Sequence, residues 1–101
     1  MLVAFSVTPL GDSESVGDAV AECVRIVRAS GLSCETNAMF TNIEGEWDEV
    51  MPVVRACVER AAEHAPRVSV TMKMDYRPGA DDQLTAKVAR VEAALDDAPE
   101  A

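Results

Sequence analysis

The polar chemistry of this chain is concentrated between Thr36 and Val50, in the run TNAMFTNIEGEWDEV. Asn37, Met39 and Thr41 stand at alternate positions, Glu44 follows, Gly45 breaks the run, and the acids Glu46, Asp48 and Glu49 come next. Residues two apart on a strand share a face, so an amide, a thioether and a hydroxyl line one surface there if no bulge intervenes. That mixture suits recognition by hydrogen bonding. The competing reading keeps Thr41 and Asn42 as turn or sheet-surface residues and treats the three acids as groups suited to the positive end of a helix.

Catalytic sets are not in evidence. The chain carries no GxSxG elbow, no phosphate-cradling P-loop and no GxGxxG turn. His64 is its single histidine, so neither a Ser-His-acid set nor an HxH or HExxH metal pattern can be assembled. Paired acids such as Asp81 with Asp82, or Glu44 with Glu46, read as solvated surface rather than an acid and base couple. Cys23, Cys34 and Cys57 are odd in number and lack CxxC spacing, which argues for reduced, buried thiols in a cytoplasmic protein. Lys and Arg total 9 against 18 Asp and Glu, a net charge of −9 that repels phosphate backbones and anionic lipid. No nucleic-acid partner and no membrane partner are expected. The opening MLVAFSVTPLG has neither the basic lead nor the apolar length of a signal peptide or membrane span.

The elements that must hold these residues follow from hydrophobic periodicity. Leu2 to Pro9 reads as a strand with Val3, Phe5 and Val7 on the core face, leaving Ser6 opposite, as plain sheet surface or as a ligand contact. A helix from about Ser15 carries Val16, Ala19, Val20, Cys23, Val24 and Val27 as one stripe and stops at Gly31. Its start is capped by the Ser15–Asp18 box or by Asp12 or Ser13. Strands are expected at Leu32–Thr36 and Phe40–Glu44, with a bend at Asn37–Met39. A second helix then runs from Glu46 or Trp47 to about Ala65. Pro52 lies beyond its first turn, so either the helix begins near Met51 or it bends there. Val68, Val70, Met72, Met74 and Tyr76 alternate with Ser69, Thr71, Lys73 and Asp75 in a fourth strand. After the turn RPGADD, Thr85 can cap a last helix bearing Leu84, Val88, Val91 and Leu95. The order β α β β α β plus a C-terminal helix predicts an α+β, ferredoxin-like sandwich: a four-stranded antiparallel sheet with helices on one face. One domain over 1–97 and a frayed tail over 98–101 complete the expected organisation.

The segments VAFSVTPLG, NAMFTNIEGEWDEVM and VTMKMDYRPG together resemble the small bacterial and archaeal thiamine-binding proteins of the MTH1187/YkoF-like, UPF0045-type family. The most specific piece is the T-x-I-E-G-x-W-D-E-V-M run. The resemblance implies a ferredoxin-like subunit, a cytoplasmic homotetramer, no cofactor, and binding without turnover of thiamine or its hydroxymethylpyrimidine part. Carried onto this chain, it implies ligand contacts from Ser6, Asn37, Met39, Thr41 and Glu44, with Asp75 and Arg77 as a second group. Thiamine offers an aminopyrimidine edge of donors and acceptors and a permanent cation, which hydroxyl, amide and carboxylate groups suit. Glu44 is also open to use at a subunit contact or as a cap for the helix that follows. A structural or regulatory oligomer with no small-molecule ligand is the alternative from a different class, and an enzyme acting on a pyrimidine is a third.

Overall fold

The structure, a computed structural model, describes residues 1–11 and 16–97, with Val16 described by its backbone alone. The capping alternatives Asp12, Ser13 and Ser15 and the tail 98–101 lie outside the described residues. Seven elements follow one another: β1 (Leu2–Leu10), α1 (Val16–Ala29), β2 (Ser33–Thr36), β3 (Thr41–Glu44), α2 (Trp47–Ala62), β4 (Arg67–Asp75) and α3 (Gln83–Asp97). The strands form one sheet in the order β2-β3-β1-β4, every neighbouring pair antiparallel. This is the ferredoxin-like arrangement that the element order predicts.

Strand β1 is central because it is apolar on one face along its whole length. Val3, Phe5 and Val7 are buried, and they pack with Ile43 of β3, with Cys23 and Val27 of α1, and with Val50, Val54, Cys57 and Ala61 of α2. Helices α1 and α2 therefore cover the face that carries Val3 and Phe5. Ile43, Val3 and Val50 are completely excluded from solvent, so truncating any of them would cost about 2–5 kcal/mol. Gly31, just past α1, has the positive φ of 78° that its reading as a left-handed stop requires.

Pro52 lies inside α2, and the helix nonetheless starts at Trp47, so a start at Met51 is ruled out. The proline removes the N–H that would have met the Asp48 carbonyl. The first turn is secured instead by Glu49, whose carboxylate accepts the Glu46 N–H at 2.9 Å.

Helix α3 departs from the body. None of its residues is buried, and Val88, Val91 and Leu95 are exposed. The radius of gyration is 15.9 Å, against about 13 Å for a compact chain of this length. Thr85 does not cap α3: it lies within the first turn and its hydroxyl donates back to the Asp82 carbonyl at 3.3 Å. The cap comes from β3, as described below.

Candidate functional site

The two ladders on β1 differ in length. With β4 it pairs from Leu2↔Asp75 to Leu10↔Arg67, whereas with β3 it pairs only from Leu2↔Glu44 to Phe5↔Thr41. Past Phe5 the sheet has a notch, because the chain between β2 and β3 turns away at Asn37–Phe40. A cavity of about 260 Å³ occupies this notch. Its floor is Phe5 to Thr8 of β1, its wall is Val20, Cys23, Val24 and Val27 of α1, and its rim is Thr36 to Thr41.

The rim is built by Asn37. Its side-chain oxygen accepts the N–H groups of Met39 and Phe40, both at 2.9 Å, and its own N–H donates to the Phe40 carbonyl at 2.9 Å. An Asx turn of this kind holds the chain in a tight reversal. Asn37, Met39 and Thr41 thus meet at one cavity through a turn, not through the shared strand face that their alternate spacing suggested. The turn consumes the oxygen of the Asn37 amide and makes no use of its NH2 end. Met39 is 74% exposed at the mouth. Thr41 is directly opposite Phe5 and so projects to the helix-covered face, into the cavity. Ser6 also borders the cavity, but its side chain alternates to the far face and its main chain is directed to Thr71 of β4.

Glu44 stands apart from this group. It is opposite Leu2, on the far face of the sheet, and only 8% exposed. Its two oxygens accept the main-chain N–H groups of Gln83 at 2.8 Å and Leu84 at 3.0 Å. Helix N-termini leave such donors unsatisfied, and a carboxylate placed there meets both the donors and the helix dipole. Glu44 is therefore the cap of α3, not of the helix that follows it in sequence. Asp75, also opposite Leu2, pairs with Lys87 one turn further along α3. The Lys87 ammonium holds the Asp75 carboxyl below its usual range, chiefly by that hydrogen bond. Arg77 is exposed in the connection between β4 and α3. Gly45 lets β3 turn at once into α2: an added Cβ would meet Val50 Cγ2 at 3.3 Å and Leu32 Cδ2 at 3.4 Å.

Two features of the cavity escaped sequence reasoning. The apolar stripe of α1 splits, with Ala19, Cys23 and Val27 buried while Val20 stays 41% exposed at the cavity wall. No periodicity distinguishes those two halves. The floor runs along β1 beyond the end of its pairing with β3, a gap in the ladder that side-chain patterns do not report. Among the described residues no group of three or more His, Cys, Asp or Glu is placed to hold a metal ion, and no helix is long and apolar enough to cross a membrane.

Comparison with known proteins adds a family. A family model described as thiamine-binding protein matches residues 3–92. UPF0045 protein Mb1933 of Mycobacterium bovis is 59% identical over 93 residues, covering 91% of both chains. UPF0045 protein sll0230 of Synechocystis is 39% identical over 97 residues, covering 95% of this chain and 80% of its own. Among solved structures, a domain of unknown function (DUF77) from Bacillus cereus superposes with a TM-score of 0.80 at 30% identity, over 88% of this chain and 86% of that one. Protein MJ1052 of Methanocaldococcus jannaschii gives 0.80 at 26% identity, over 90% of this chain and 94% of its own.

Proposed function

Since this chain belongs to the thiamine-binding protein family, we propose that it binds thiamine, or the hydroxymethylpyrimidine part of it, without turning it over. The observation that carries this reading is the notch cavity, at which Ser6, Asn37, Met39 and Thr41 converge. At about 260 Å³ it falls just short of the ~300 Å³ at which pockets for drug-sized ligands begin, so one substituted ring fills it. The pyrimidine is then the part held, with the thiazolium directed to the mouth beside Met39. A net charge of −9 favours a cationic ligand near that mouth. Thr41 and the free NH2 end of Asn37 read the ring; Glu44 and Asp75 serve the root of α3, and Arg77 lies in the turn leading to it.

The protein works, in this reading, as a cytoplasmic carrier or sensor assembled as a homotetramer. The unpartnered stripe Val88, Val91 and Leu95 supports assembly, because three large apolar side chains at helical spacing are left in water in a lone subunit. The same stripe favours the second reading, an oligomer with a structural or regulatory role and no small ligand. Isothermal titration with thiamine, hydroxymethylpyrimidine and the thiamine phosphates separates the two. Saturable heat with the pyrimidine, weakened in Thr41→Val, supports binding. A tetramer that gives no heat with any of them at millimolar concentration removes the ligand and leaves the second reading.

A further inference from the structure

The floor of the notch has a polarity that can be read from the ladder. In an antiparallel sheet a residue directs its N–H and its C=O to the same neighbouring strand, and the next residue directs both to the other. Two observations fix which residues of β1 face β3. The Met1 carbonyl accepts the N–H of Gly45 at 3.1 Å, so Met1, and with it Val3, Phe5 and Val7, points its main chain to the β3 side. Pro9 shares that parity, and a proline, having no N–H, is tolerated in a ladder only where its nitrogen faces an unpaired edge. Both lead to the same assignment. Phe5 spends its main chain on Thr41, the last β3 residue in the ladder. Val7, two residues on, has no strand opposite it on that side, and it lies in the cavity floor.

We propose that the N–H and C=O of Val7 form the recognition edge of the site, pairing with a planar heteroaromatic ligand that offers a ring-nitrogen acceptor beside an exocyclic amino donor. This deepens the thiamine reading and rests on it. An aminopyrimidine has this edge: the Val7 N–H donates to the ring nitrogen and the exocyclic amino group donates to the Val7 carbonyl. The ligand takes the place that the next β3 residue would have occupied, with Thr41 and Asn37 beside it. Recognition by main chain also accounts for the apolar side chains around the cavity, since Val7 gives its side chain to the core and its peptide groups to the ligand.

The test uses the full-length protein and two probes, 4-amino-5-hydroxymethyl-2-methylpyrimidine and the same ring lacking the 4-amino group. With the first probe, the Val7 amide is expected to shift strongly in a 15N-resolved spectrum and to exchange more slowly with solvent. The second probe is expected to bind about tenfold more weakly or worse, because the Val7 carbonyl is left dry and unpaired. Val7→Pro deletes the notch-facing N–H while sparing the β4 ladder, as Pro9 already does, and should abolish binding. If Val7→Pro does not fold, the probe series and the amide shift still decide. Equal binding of both probes with an unmoved Val7 amide overturns this proposal and leaves pyrimidine binding standing. No binding of either probe, nor of thiamine, overturns both.

Discussion

Thr41 and Glu44 sit three residues apart on β3 and face opposite sides of the sheet, Thr41 across from Phe5 over the cavity and Glu44 across from Leu2 beneath α3. An odd separation on a strand guarantees this division. One four-residue strand thereby serves two unrelated tasks.

Substitutions at the two positions should separate accordingly. Glu44→Ala removes the acceptor of two charge-assisted bonds and is expected to cost about 1–3 kcal/mol, with loss of hydrogen-exchange protection at the Gln83 and Leu84 amides. Pyrimidine affinity should hardly change. Thr41→Val should do the reverse, lowering affinity by about tenfold while the melting temperature stays put. Calorimetry and exchange mass spectrometry on the same two proteins check both halves.

The outer surface where α1 meets α2 sets an acid limit. Arg60 donates to both oxygens of Glu22 at 3.0 and 3.1 Å, and His64 Nε2 lies 2.8 Å from the same carboxylate. The Arg60 bond first, and then His64, hold the Glu22 carboxyl below its ordinary range. Because the folded pKa is the lower one, the stabilisation is complete above the unfolded carboxylate's range and drains away as pH falls through the depressed folded value. Asp75 adds a loss of the same sign through Lys87. In Glu22→Gln the melting temperature should therefore lie below that of the wild type at neutral pH, and the gap should close as the solution is acidified. A gap that stays constant would show that this cluster contributes nothing through its charge.

The thiols should divide by packing. Cys23 and Cys57 are buried against each other, each sulfur 3.4–3.5 Å from the other residue's carbonyl, while Cys34 is half-buried on β2. Hydrogen bonding to Cys23, reinforced by burial, pushes the Cys57 thiol up, which suppresses its thiolate. Titration with a chromogenic disulfide should find Cys34 reacting in the native protein and the other two only on unfolding.

The stripe on α3 makes a different prediction. Val91→Lys places a charge among Val88, Val91 and Leu95, and if these meet another subunit the oligomer should dissociate at concentrations where the wild type stays assembled. Sedimentation velocity over a dilution series measures this. An unchanged distribution would move the subunit contact elsewhere.

Much of this architecture was legible because it is local. The alternation of Val3, Phe5 and Val7 and the stop at Gly31 follow from a period and a backbone preference, and both appear where they were expected; the strand read over Val68 to Asp75 also forms, but Val70 and Met72 on its apolar face stay exposed. Asn37, Met39 and Thr41 could be grouped by spacing, but the turn that gathers them depends on a side chain bonding to its own main chain. The cap of α3 was invisible for the opposite reason: Glu44 and Gln83 are 39 residues apart, and only the sheet brings them together. Thr85, adjacent in sequence to the helix start, was the obvious and mistaken choice. Val7 escaped notice because its side chain looks like simple core.

That remote cap also orders events in time. A fifteen-residue helix with no buried side chain is marginal in water by itself, and its first turn acquires a carboxylate acceptor only after β3 has docked on β1. The C-terminal helix should accordingly be the last element to form during folding and the first to be released when the sheet begins to open.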